Sequence, residues 1–118
     1  MVTYMLPMIL IEEFLADEGS SPFGKWFDDL DPQAAAIVTV ALTRLADGSS
    51  PKGEPIGDGA SELKINRGPG YRIYFGWDGK ALVILLGGGT KRRQSADIAE
   101  ALVRWRDYKA RKAKAKKG

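Results

Sequence analysis

Hydrophobic and polar positions change period twice along the chain. Residues 8–15, MILIEEFL, open with an apolar run that predicts a first strand. In the next stretch Phe23, Trp26, Phe27 and Leu30 fall at i, i+3, i+4 and i+7, behind Ser21 as cap and Pro22 at the first helical position. Asp31-Pro32 repeats the start signal, and Ile37, Val38, Ala41, Leu42 and Leu45 form a second helical stripe that Gly48 closes. After the Gly/Pro-rich connector SSPKGEPIGDGA the period becomes two. Leu63 and Ile65 alternate with Glu62, Lys64 and Asn66, and Tyr71, Ile73, Phe75 and Trp77 alternate with Arg72 and Tyr74. RGPG links these two strands, Asp78-Gly79 marks a tight hairpin, and KALVILLG reads as a central strand covered on both faces. Helical period then returns with Ile98, Ala101, Leu102 and Trp105, with Tyr108 near the same stripe.

The predicted order is β-α-α-β-β-β-α, an α+β domain with its helices on one face of a mostly antiparallel sheet. With 118 residues the chain suits a single domain, expected over residues 1–112, with 113–118 as a basic disordered tail. The opposite face of the sheet is then left to Glu62, Lys64, Arg72 and Tyr74, since side chains two apart share a side of a strand. Lys64 and Arg72 come opposite each other there, a costly pairing unless an anion enters or a carboxylate such as Glu62 offsets it.

Charge sharpens this picture. Residues 1–90 carry seven Lys/Arg against twelve Asp/Glu, whereas residues 91–118 carry eleven against three. A basic end of this kind suits contact with a polyanion, or else a solvated helix face. The junction LLGGGTKRRQ fails the P-loop spacing, because Gly87, Gly88 and Gly89 are adjacent and Lys91 precedes Arg92 instead of Ser or Thr. It reads as a glycine hinge that presents Lys91, Arg92 and Arg93 to phosphates.

The chain has no cysteine and no histidine, so thiolate metal sites are excluded and any acid–base chemistry falls to other side chains. No cofactor and no metal are expected. Pro7, Glu12 and Glu13 interrupt the apolar N-terminus and no basic segment precedes it, which argues against a signal peptide or membrane span and for a cytoplasmic protein. Met5 and Met8 leave the start codon open.

GPGYRIYFG, ILLGGGTKRRQ…DI and ALTRLADG resemble the addiction-module killer proteins, a HigB-like branch of the RelE/ParE superfamily of type II toxin–antitoxin toxins. The resemblance runs from DEGSSPFGKWFDDL to WRDYKARK. It implies a bacterial or phage-borne toxin masked by a cognate antitoxin, commonly a helix-turn-helix protein. RelE-like members cut messenger RNA on the ribosome by attack of a ribose 2′-oxygen on the adjacent phosphate; ParE-like members poison gyrase. By resemblance Arg72 binds the scissile phosphate, Lys64 matches a strand lysine proposed as base, and Lys91 stabilises the transition state. Glu62 is an alternative base, and Arg72 and Lys91 would depress the lysine's pKa. The chain departs from the pattern where RelE-like toxins place a tyrosine in the terminal helix, since SADIA stands there; Tyr74 or Tyr71 is left as the substitute, with Tyr71 expected on the core side. Arg67, Arg92 and Arg93 are the expected RNA contacts. Two other functions fit the same residues: a gyrase poison without chemistry, and a non-toxic nucleic-acid-binding domain carried by the basic C-terminus.

Overall fold

A computed structural model describes residues 8–117. The first part of the segment read against a leader, residues 1–7, lies outside the described residues. Strand β1 (Leu10–Glu13) precedes helices α1 (Pro22–Asp28) and α2 (Pro32–Asp47). Both helices start as their sequences require: the Ser21 hydroxyl accepts from the Gly24 N–H at 2.8 Å and the Asp31 carboxylate from the Ala34 N–H at 2.9 Å. Gly48 ends α2 at φ 81°, where a side chain would be strained.

Strands β2 (Glu54–Gly57), β3 (Ala60–Ile65), β4 (Tyr71–Asp78) and β5 (Leu82–Thr90) follow. The expected fold class is observed, with one strand more than the periodicity indicated. Only Ile56 of β2 is half-buried, so EPIG carries too little alternation to stand out from its Gly/Pro-rich surroundings. The sheet runs β1-β5-β4-β3-β2, with β1 parallel to β5 and the other pairs antiparallel.

Helices cover both faces, which corrects the expectation of a single covered face. Phe23 of α1 and Val38 and Leu45 of α2 pack on Leu63, Tyr71, Ile73, Phe75, Val83 and Leu85. Helix α3 (Gln94–Lys117) lays Ala101 and Trp105 on Tyr74, Ile84 and Leu86 from the other side. The doubly apolar β5 dictates this: its alternate residues Val83 and Leu85 leave Ile84 and Leu86 facing the other way, and those also need cover. An extra residue at Leu86, opposite the Tyr74–Phe75 step of β4, then brings Gly87 as well to the α3 side, beside Leu86.

The glycine run belongs to β5 and is no hinge. A Cβ on Gly88 would stand 2.1 Å from Trp26 of α1, one on Gly89 2.2 Å from the Asp97 carboxylate, and one on Gly87 2.9 Å from Arg104. The three positions therefore let helices on opposite faces approach the strand backbone directly. Gly76 does the same for Trp105, whose ring lies 2.4 Å from where its Cβ would be. Helix α3 is also tied to two turns: Trp105 Nε1 donates to the Asp58 carbonyl at 2.6 Å, and Tyr108 and Lys112 both reach the Asp78 carboxylate. It stays helical to Lys117, so residues 113–117, expected as a disordered tail, form an exposed helical end.

Candidate functional site

Register brings Lys64 opposite Arg72 and Glu62 opposite Tyr74, on the side of the sheet that α3 covers. The expected pairing of the two cations is observed; the open face around them is not. Gln94, the first residue of α3, donates from Nε2 to both Glu62 oxygens at 3.1 and 3.0 Å. Asp97, one turn on, rests against Gly89, the strand partner of Arg72. Arg72 is 8% exposed, Glu62 2% and Tyr74 1%, so the first turn of α3 closes over all three.

Glu62 is the hub of the cluster. Arg72 Nε stands 3.4 Å from one of its oxygens and Lys64 Nζ 4.0 Å from the other, while Lys64 also pairs with Glu54 at 3.3 Å. A carboxylate, not an incoming anion, offsets the facing cations. Lys64 thus stands between two carboxylates, those of Glu62 and Glu54.

Satisfaction of the cluster is incomplete. Nε and Nη1 of Arg72 and the Tyr74 hydroxyl are buried with no hydrogen bond of ordinary geometry. The Glu62 carboxylate still influences Tyr74: burial first, then Glu62 and Asp97, push its hydroxyl well above the usual tyrosine range. Burial likewise raises the Asp97 carboxyl, against the nearby Arg93, whose guanidinium lies 3.6 Å away.

The remaining expected contacts lie on the rim. Pairing of Ile65 with Tyr71 and of Tyr71 with Thr90 puts the β3–β4 turn, carrying Arg67, at the same end of the sheet as the 3-10 turn Lys91–Arg93. All four cations are exposed. Arg93 pairs with Asp97 and with Glu100, the latter at 3.5 Å, while no ion pair among the described residues involves Arg67, Lys91 or Arg92. Lys91 therefore borders the buried group without joining its ion pairs. Gln94, Asp97 and Glu54 went unrecognised in the sequence: Gln94 and Asp97 look like ordinary residues of a helix start, and Glu54 sits in the connector.

A five-stranded sheet clasped between an αα pair and a terminal helix defines an α+β fold of the RelE type. The free-state structure of an arginine-to-alanine double mutant of the E. coli toxin RelE superposes with a TM-score of 0.62 over 82% of this chain and 97% of that one, at 16% identity. At that identity the likeness is one of fold. Residues 25–116 match the family described as Phage derived protein Gp49-like (DUF891), and the chain belongs to that family. An uncharacterized protein of Haemophilus influenzae is 38% identical over 80 residues, 67% of this chain and 81% of the relative. Among the described residues no helix is long and apolar enough to cross a membrane.

Proposed function

We propose that this protein is the toxin of a type II toxin–antitoxin module and that it cleaves messenger RNA on the ribosome, in the cytoplasm, until a cognate antitoxin masks it. The observation that carries this reading is the incompletely bonded Arg72, whose buried Nε meets Glu62 only as an ion pair at 3.4 Å and whose Nη1 has no acceptor, beside the buried Tyr74 hydroxyl. Buried donors without acceptors are expensive, and a phosphodiester supplies the acceptors they lack. In this reading Glu62 takes the 2′ proton and the 2′-oxygen bonds to phosphorus. Arg72 holds the phosphoryl oxygens, and the leaving 5′-oxygen receives a proton from Tyr74. Lys64 and Lys91 stabilise the added charge, while Arg67, Arg92 and Arg93 hold the RNA backbone at the rim. Because Gln94 occupies both Glu62 oxygens, substrate enters only when the first turn of α3 moves aside, and the closed form is the resting state.

The test is growth and RNA-end mapping after induction. New 5′ ends in wild type that vanish in Arg72→Ala and Glu62→Gln are expected; growth arrest with unaltered transcripts refutes the reading. One observation favours a second reading, a gyrase poison without chemistry: Arg72 is already neutralised by Glu62 and enclosed. In that case Arg72→Ala stays toxic and plasmid topology changes while messenger RNA remains whole.

A further inference from the structure

Beyond β5 lies a cleft of about 610 Å3, enclosed by the β1–α1 loop, α1 and α3. It exists because β1 ends at Glu13 opposite Leu85 while β5 continues to Thr90, leaving residues 86–90 with a strand neighbour on one side only. Gly87 and Gly88 make part of its wall from bare backbone, and Trp26 adds an aromatic surface. The Tyr74 side chain also lines this cleft, while its hydroxyl is buried.

Its electrostatics select the ligand. Four cations, Lys25, Arg93, Arg104 and Arg111, face five carboxylates, so the cleft has no positive field to gather phosphate. Arg111 is held tightly by Asp17 and Asp107, at 2.8 and 2.6 Å, and Arg104 Nη1 donates to the Leu86 carbonyl. But the Glu100 pairs are long, 3.5 Å to Arg93 and 3.7 Å to Arg104 Nη2, so Glu100 and Arg104 Nη2 keep hydrogen-bonding capacity to spare. A ligand that fits has a flat ring, a donor for the carboxylate and an acceptor for the guanidinium, with little charge of its own. Nucleobases have that edge chemistry, and a π-face to lie against an aromatic side chain.

The geometry points to a nucleobase subsite in this cleft, in which Arg104 donates to a ring acceptor, Glu100 accepts from a ring N–H group, and Trp26 packs on the ring. The inference rests on the RNA reading above and deepens it: Tyr74 touches both the Glu62 group and the cleft, so the base held there is the one next to the scissile phosphate.

Guanosine, adenosine, cytidine and uridine, which carry no phosphate, are titrated into the full chain and followed by tryptophan fluorescence and calorimetry, with inorganic phosphate as competitor. Saturable binding of at least one nucleoside with Kd of about 1 mM or tighter is expected. Glu100→Ala, at an exposed position on the cleft wall, should weaken it about fivefold or more. Val103→Trp, at a 60% exposed position on the cleft wall, should abolish it without disturbing the core. Phosphate should not compete. Absence of saturation in wild type, binding indifferent to Val103→Trp, or displacement by phosphate overturns the proposal. Nucleoside binding without RNA cleavage would remove the nuclease and leave the subsite; cleavage without nucleoside binding would remove the subsite alone.

Discussion

Gly88→Ala separates a flexible glycine run from a packed one. The residue sits inside β5 without a left-handed φ, so alanine meets no backbone strain there. Were the run a hinge, the substitution would stabilise the fold by about 0.4–1 kcal/mol, because alanine narrows the unfolded ensemble. The structure predicts the opposite sign. The new methyl would stand 2.1 Å from Cε3 of Trp26, a rigid indole that also packs against Phe23 at 5.7 Å between ring centroids. Overpacking of that kind costs about 1–3 kcal/mol. Set against the backbone gain, a net loss of about 1–2 kcal/mol remains, which at an ordinary urea slope lowers the midpoint by about 0.5–1 M. Trp26→Phe on the Gly88→Ala background relieves the clash, so the double variant should lose less than the sum of the single losses. A Gly88→Ala midpoint equal to or above wild type, or strict additivity with Trp26→Phe, would refute the packing argument.

Other expectations concern the charged contacts. Lys112 and then Tyr108 hold the Asp78 carboxyl below its usual range, so its contribution is present above the unfolded-state pKa and fades as pH falls through the lower folded value. Asp78→Asn should cost about 1–2 kcal/mol at pH 7 and little in strong acid, read by urea denaturation across pH. Asp97 has the opposite sign: burial raises its pKa, so its ionisation disfavours the fold as pH rises above about 4. Asp97→Asn should then be at least as stable as wild type at pH 7, with the gap closing in acid; a less stable variant at pH 7 contradicts this. Glu62→Ala should destabilise by about 3–5 kcal/mol by stranding Arg72, whereas Glu62→Leu with Arg72→Met should match or exceed wild-type stability while abolishing toxicity. Deleting residues 113–118 should leave Tm unchanged, since residues 113–117 are exposed, while lowering non-specific RNA affinity and its salt slope.

The periodicity carried most of the fold because it is local. Ser21, Asp31, Gly48 and the Asp78-Gly79 turn each act within a few residues, and the Leu63/Ile65 and Ile73/Phe75 alternation does fall on the α1–α2 side. What periodicity cannot supply is the side of the sheet to which a later helix returns. The stripe Ile98, Ala101, Leu102 and Trp105 announces an amphipathic helix, and the same stripe would serve against either face. The deciding signal lay in β5, where an unbroken apolar run demands two covers. The glycines point the same way, since a run that turns a chain and a run that admits a tryptophan, an arginine and an aspartate look identical in sequence. Glu62, Lys64, Arg72 and Tyr74 were legible as neighbours because strand register is short-range, but their enclosure depends on α3.

Enclosure changes what the cluster means. A polar face open to solvent costs the fold little, and Glu62, Lys64, Arg72 and Tyr74 would then be unremarkable surface residues. Beneath α3 the same side chains lose their hydration, and the Arg72–Glu62 contact at 3.4 Å leaves two guanidinium nitrogens without acceptors. Hydrophobic residues of similar volume would hold α3 as well or better, since a buried ion pair recovers its desolvation cost only when its hydrogen bonds are complete. Fold stability therefore does not explain this group. The RNA reading proposed above accounts for it by a second state, in which the first turn of α3 moves away and the donors find a ligand. The anchors of α3 fit that division: the Asp58 and Asp78 contacts involve Trp105, Tyr108 and Lys112, well beyond the turn that covers the site, so residues 94–97 can lift while the rest of the helix stays in place.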